Sequence, residues 1–146
     1  MVKDVKKLRD QTGAGVMECK RALQEAKGDF DKAVLIINKR GLAKAEKKEG
    51  RSTSAGLIES YVHNNRIGVL LEIRAETDFV VRSEPFRELA HELAMQIASM
   101  DPADIETLLN QPYIKDESQR VGDFVKKVIT KVGENITVQR FCRYEI

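Results

Sequence analysis

The chain has 146 residues, enough for one compact domain or two small ones, and its 42% hydrophobic and 33% charged residues are the balance of a soluble protein with a modest core. A net charge of +2 is too slight to point to nucleic acid or an anionic membrane as partner. Two distant cysteines, Cys19 and Cys142, exclude a secreted disulfide scaffold; the opening MVKDVKKLRDQTG lacks a signal peptide's apolar segment, and no apolar run approaches the ~18 residues of a membrane span, so the expectation is a cytoplasmic protein.

Three short helices are predicted first. Val2, Val5 and Leu8 repeat at helical spacing up to Thr12-Gly13. Val16, Cys19, Ala22, Leu23 and Ala26 mark the inner face of a second helix, with Gly28 at its C-terminal cap. Asp29 is the N-cap expected for a third, with Ala33, Val34 and Ile37 facing inward and Gly41 closing it. So small a bundle buries little apolar surface. Residues 1–42 are therefore read as a three-helix domain and 43–55, polar and charged, as a linker.

From residue 56 the periodicity changes to alternation. Ile58, Ser60 and Val62 form one side of a strand and Leu57, Glu59 and Tyr61 the other. His63-Asn64-Asn65-Arg66 is turn chemistry, and Val69, Leu71, Ile73 and Ala75 alternate with Leu70, Glu72 and Arg74 in a return strand, making a hairpin with one face packed. Ser83 caps a helix with Pro85 in its first turn and Phe86, Leu89, Ala90, Leu93, Ala94 and Ile97 as its apolar stripe. Asp101-Pro102 breaks it, and a short helix is expected over 103–109. A further stripe runs through Val121, Phe124, Val125, Val128, Ile129 and Val132 to Gly133. The last strand covers 136–144, with Ile136, Val138, Cys142 and Tyr144 on one side and Arg140 interrupting it. The fold class is α+β: a three-helix bundle, then a small antiparallel sheet packed by helices over 56–146.

Nothing in the sequence equips the chain for covalent chemistry. It has no GxxxxGK[ST] or GxGxxG phosphate cradle, so no nucleotide cofactor is expected. His63 and His91 pair with no cysteine at metal-ligand spacing, so no metal is expected either, and both read as solvated histidines. Neither cysteine has a partner that would make it a nucleophile, and the carboxylates are scattered over helix surfaces. No catalytic residue is assigned.

Three segments carry a family resemblance. Residues 8–23, LRDQTGAGVMECKRAL, resemble the N-terminal signature of elongation factor Ts at nearly every fixed position. Residues 72–82, EIRAETDFVVR, are similar to its second signature, around TDFV. The tail, GENI at 133–136 followed by Arg140-Phe141, is similar to its closing strand. The segments lie in the family's order and span almost the whole chain. Met100 runs almost directly into QPYIKD at 111–116, where longer members carry an extra helical stretch, a second core subdomain or a coiled coil, so this chain resembles a minimal form.

The resemblance implies a ubiquitin-associated-like fold for the bundle, an α+β dimerisation core, and guanine-nucleotide exchange on elongation factor Tu. It implies that Thr77, Asp78, Phe79 and Val80 contact that partner, with Phe79 inserting between helices of its G domain and disturbing the Mg²⁺ and phosphate site. Arg9, Val16 and Met17 would form a second contact. The bland readings stand beside these: Phe79 packed under its own helix, Asp78 a turn acid, Thr77 structural, Arg9 a solvated charge, Val16 and Met17 bundle core. Short members pair two copies through the core sheet, which places Cys142 at a dimer contact, as a free thiol or an intermolecular disulfide. Two other functions compete. One is a peptide-binding module without exchange activity. The other is RNA binding through Lys39, Arg40, Lys44, Lys47, Lys48 and Arg51, against which stand the interleaved Glu46 and Glu49 and a sheet without stacking aromatics. No nucleic-acid or membrane partner is expected.

Overall fold

Helix α1 (Val2–Thr12) ends where Gly13 takes a left-handed conformation, φ +72°, and returns its N–H to the Arg9 carbonyl. Helix α2 (Val16–Glu25) follows, and Asp29 opens α3 (Phe30–Lys48) by accepting the Lys32 N–H at 3.1 Å. Leu8, Cys19, Ala22, Leu23, Ala26, Ala33 and Ile37 make the core of this bundle. The computed structural model describes residues 1–146 and divides them into two units, Met1–Lys47 and Lys48–Ile146.

Two expectations for the first unit fail. Gly41 does not close α3, which runs on to Lys48 through half of the segment read as a linker. One glycine costs a helix only ~1 kcal/mol, and Leu42 to Lys48 are strong helix formers throughout. The stop falls at Gly50, φ +87°. Val16 is not on the inner face either. It is the first residue of α2, and the buried stripe begins one turn later at Cys19.

The second unit is built on an antiparallel sheet of β1 (Ala55–His63), β2 (Ile67–Ala75) and, last in the chain, the strand Ile136–Glu145, with β2 in the centre. Asn64 and Asn65, φ +50° and +56°, lead the three-residue loop 64–66 of the β1–β2 hairpin, which the Arg66 N–H closes on the His63 carbonyl at 3.0 Å. Between β2 and the last strand come α4 (Asp78–Val81), α5 (Glu84–Met100), α6 (Ile105–Asn110), a short hairpin of β3 (Pro112–Tyr113) and β4 (Asp116–Arg120), and α7 (Val121–Val132); the last strand is then β5. Val69, Leu71, Ile73 and Ala75 meet α5, whose Phe86, Leu89, Ala90, Leu93, Ala94 and Ile97 are all buried. At Gly56 the chains come so close that a Cβ would lie 2.7 Å from the Ile73 carbonyl oxygen.

The last strand corrects the sequence reading. Ile136 and Val138 pair with Ala75 and Ile73, but the register shifts between Ile73 and Glu72, leaving Gln139 as a bulge. Beyond it Phe141 and Arg143 turn to the helix side, opposite Leu71 and Val69, while Arg140, Cys142 and Tyr144 face away from the helices. Cys142 and Tyr144 thus lie on the opposite face from Ile136 and Val138. Arg140 no longer interrupts a buried stripe: it donates to Glu72 at 2.8 Å, and Arg74 donates to the same carboxylate at 2.7 Å.

The β3–β4 hairpin has no periodic signal and was not expected. It is fastened by α5. The Gln96 amide donates to the Pro112 carbonyl at 3.0 Å and accepts the Ile114 N–H at 2.9 Å. One turn earlier Glu92 accepts the Tyr113 hydroxyl at 3.1 Å and pairs with Lys115. Tyr113 stacks on Phe124 of α7, centroids 4.6 Å apart. Burial, and then the Glu92 carboxylate, push the Tyr113 hydroxyl well above the usual tyrosine range.

Candidate functional site

Residues 77–81 leave the central strand and form a single helical turn, α4. Thr77 is its N-cap, accepting the Val80 N–H at 3.4 Å. Asp78 begins the turn, so the capping role falls on Thr77. Val80 and Val81 are buried beneath it, and Ser83 ends it by donating its hydroxyl to the Val80 carbonyl at 2.6 Å. With both valines pointing inward, helical geometry leaves Phe79 outside. It is 84% exposed, whereas Phe86 is fully buried and Phe30, Phe124 and Phe141 are half-buried. The reading of Phe79 as packed under its own helix is therefore wrong.

The turn is braced from a distant part of the chain. Glu134, just after the left-handed Gly133 that ends α7, accepts the Thr77 N–H at 2.9 Å on one oxygen and the Thr77 hydroxyl at 2.7 Å on the other. In return Glu76 accepts the Asn135 N–H at 2.8 Å. The buried Asn135 amide donates to the Arg51 carbonyl at 3.0 Å, and the Arg51 guanidinium lies 3.6 Å from Glu76. Sequence reasoning marked GENI only as a resemblance and gave Glu76, Glu134 and Asn135 no role, because their partners lie 57 to 84 residues away.

Thr77, Asp78, Phe79 and Val80 thus share one braced turn, of which Thr77, Asp78 and Phe79 are exposed and Val80 is not. Val80 holds the turn from below. Arg9, Val16 and Met17 belong to the first unit, where Arg9 is exposed and Val16 and Met17 are 49% and 59% exposed at the start of α2. Their assignment to the bundle core is wrong for both. Cys142 is exposed on the open face of the sheet, and Cys19 is buried in the bundle, where burial raises its thiol pKa. His63 and His91 are exposed, His91 lying 3.6 Å from Glu59. No group of three or more His, Cys, Asp or Glu is placed to hold a metal ion, and no helix is long and apolar enough to cross a membrane.

By fold and site this is an α+β protein that presents an aromatic ring to its surroundings on a rigid turn. Comparison with known proteins makes the class specific. Residues 76–146, which include the whole α4 turn and its brace at Glu134, match the family model described as Elongation factor TS. The proteins named Elongation factor Ts from Thermotoga neapolitana and Coprothermobacter proteolyticus are 42% and 41% identical to this chain, over 97% of it and 94% and 95% of their own lengths. That of Alkaliphilus oremlandii is 38% identical, over 97% of this chain and 87% of its own. The chain belongs to the elongation factor Ts family, and with it to the translation elongation factors. The first of these alignments runs to 186 positions against the 146 residues here, so at least 40 residues of the Thermotoga protein have no counterpart in this chain.

Proposed function

We propose that this chain is the guanine-nucleotide exchange factor for elongation factor Tu, acting in the cytoplasm by binding rather than by covalent chemistry. The observation that carries the reading is Phe79: a large apolar ring, 84% exposed, on a turn whose backbone is held from both sides. Left in water, such a ring is a standing cost, and burying a Phe side chain stabilises by ~1.5–3 kcal/mol. A ring on a rigid support enters a partner's surface with little conformational entropy left to lose. Inserted between helices of the G domain, it displaces the elements that hold Mg²⁺ and the phosphates of GDP.

A thousandfold fall in nucleotide affinity requires about 4 kcal/mol of differential binding. Phe79 supplies part of it, with Thr77, Asp78 and Val80 shaping the contact and Arg9, Val16 and Met17 adding a second one. By linkage, nucleotide rebinding displaces the factor to the same degree, so GTP can follow GDP. The test is release of a fluorescent GDP from elongation factor Tu. Wild type accelerates it, and Phe79→Ala loses most of the acceleration while its circular dichroism is unchanged. An intact protein that leaves the release rate as it was refutes the assignment.

We further propose that two copies pair through the open face of the sheet. Opposite the helices it carries Ile58, Val62 and Leu70, 59%, 63% and 50% exposed, beside Cys142 and Tyr144, and Ile58, Leu70 and Cys142 line a hollow of ≈ 410 Å³ there. An uncovered apolar sheet face is unusual in a protein that works alone. The Cys142 thiol lies on this face and would be brought near its counterpart.

A further inference from the structure

We propose that Glu134 is a positioning residue for Phe79, and that its carboxylate sets the direction from which the ring meets a partner; this rests on the exchange function proposed above. An isolated helical turn of four residues cannot hold its own geometry, because one turn fixes more backbone torsions than its hydrogen bonds repay. Val80 and Val81 anchor the inner side of α4 by burial. They hold its inner side, and the Ser83 hydroxyl holds its C-terminal end, which leaves the N-terminal end at Thr77 to be held separately.

Glu134 supplies that hold. Two oxygens of one carboxylate take two donors of one residue, the Thr77 N–H at 2.9 Å and its hydroxyl at 2.7 Å. A hydroxyl has a single hydrogen. Once it is committed to Glu134, the oxygen lone pairs are left for the Val80 N–H, 3.4 Å away within the turn. The carboxylate therefore fixes the cap itself and not only the strand end. Glu134 is positioned in turn because its neighbour Asn135 is tied to Glu76 and to the Arg51 carbonyl. Residues 76–77 and 134–135 thus exchange side-chain-to-backbone bonds in both directions, and the exposed ring two residues on inherits the orientation.

The experiment compares Glu134→Ala, Glu134→Gln and Phe79→Ala, with the double variant Phe79→Ala/Glu134→Ala, in the full chain. Amide hydrogen exchange is read first, independently of any partner. Glu134→Ala speeds exchange at Val80 to Ser83 about tenfold or more while α5 and β2 keep their protection. Unchanged protection at these amides overturns the positioning role whatever the activity. In the GDP-release assay, Glu134→Ala lowers the rate at saturating factor about tenfold, while the half-saturating concentration moves less. Glu134→Gln, which keeps one acceptor oxygen, falls between wild type and Glu134→Ala.

In the Phe79→Ala background the Glu134 substitution has no further effect, because there is no ring left to aim. Additive losses in that double variant overturn the proposal in favour of a general effect on the fold. Should wild type fail to accelerate release while the amide result holds, the exchange function is what has failed, and the functional part of the proposal falls with it.

Discussion

Replacing Gln96 with methionine keeps the volume of the side chain and removes every hydrogen bond it makes. Gln96 is fully buried on α5, and its amide serves two backbone groups of the β3–β4 hairpin, the Pro112 carbonyl and the Ile114 N–H. A buried backbone group left without a partner costs about 1–3 kcal/mol. Pro112 is exposed, so its carbonyl recovers part of the loss from water, whereas Ile114 is half-buried. The sum is about 2–4 kcal/mol, a large part of the 5–15 kcal/mol that holds a typical domain together. The chain has no tryptophan, and all three tyrosines, Tyr61, Tyr113 and Tyr144, lie in the second unit. Tyrosine fluorescence in a urea titration therefore reports that unit alone, without interference from the helix bundle. The expected result is a midpoint lowered at unchanged slope, as for a loss of stability without a change in the surface exposed. A loss below about 0.5 kcal/mol would mean that water replaces the amide, and that the hairpin is not held by α5 as argued.

Two further outcomes follow from the open face of the sheet. The Glu72 carboxyl is held below its ordinary value of 4.5 first by the hydrogen bond from Arg74 and then by that from Arg140. A depressed carboxyl contributes stability that is present above its unfolded pKa and lost as pH falls through the folded one. The advantage of wild type over Glu72→Gln should accordingly be constant near neutral pH and shrink once the pH drops below 4.5, read as the difference in melting temperature along a pH series; a difference that grows on acidification contradicts the sign. For self-association, sedimentation at micromolar concentration should give about twice the 16.5 kDa chain mass, and Leu70→Asp, which sets a charge amid Ile58, Val62 and Cys142, should return the chain to one copy. A wild-type monomer under those conditions rules out pairing through this face.

The helices of the second unit were legible because long apolar stripes admit one arrangement: α5 buries all six residues its spacing selects, and α7 buries Val121, Val125, Val128 and Ile129 with Phe124 and Val132 half-buried beside them. The β1–β2 hairpin was legible for the same reason, its turn marked by two asparagines. Where one residue changes the period, the reading failed. A single bulged Gln139 moves Cys142 and Tyr144 from one face of the sheet to the other, and no composition marks a bulge that lacks glycine. Gly41 misled because glycine weighs little against seven good helix formers, and the hairpin at Pro112 was hidden because its partners are side chains of α5 rather than neighbouring strands. Exposure of Phe79 was suggested by its place in a connection between a strand end and the Ser83 cap, and weighed decisively only with the family resemblance. From periodicity alone its neighbours Val80 and Val81 make the segment look uniformly buried, and a single helical turn between them is too short to register.

The short connection between α5 and α7 bears on the exposed ring although it lies in another part of the sequence. Helix α5 begins where the α4 turn ends, at Ser83. Its Glu92 and Gln96 fasten the β3–β4 hairpin, and Tyr113 of that hairpin stacks on Phe124 of α7. Helix α7 then ends at Gly133, which delivers Glu134 back to Thr77 at the head of the same turn. The chain of contacts therefore closes on α4 from both ends. Gln96 is the latch on this route, since it ties to α5 the hairpin whose Tyr113 packs on α7. The Gln96→Met variant tests whether the route reaches the ring. Should it loosen the amides of Val80 to Ser83 as well as those of the hairpin, α7 transmits its position to Glu134; should only the hairpin respond, Glu134 is held by Asn135 and the sheet alone, and the connection is irrelevant to the ring.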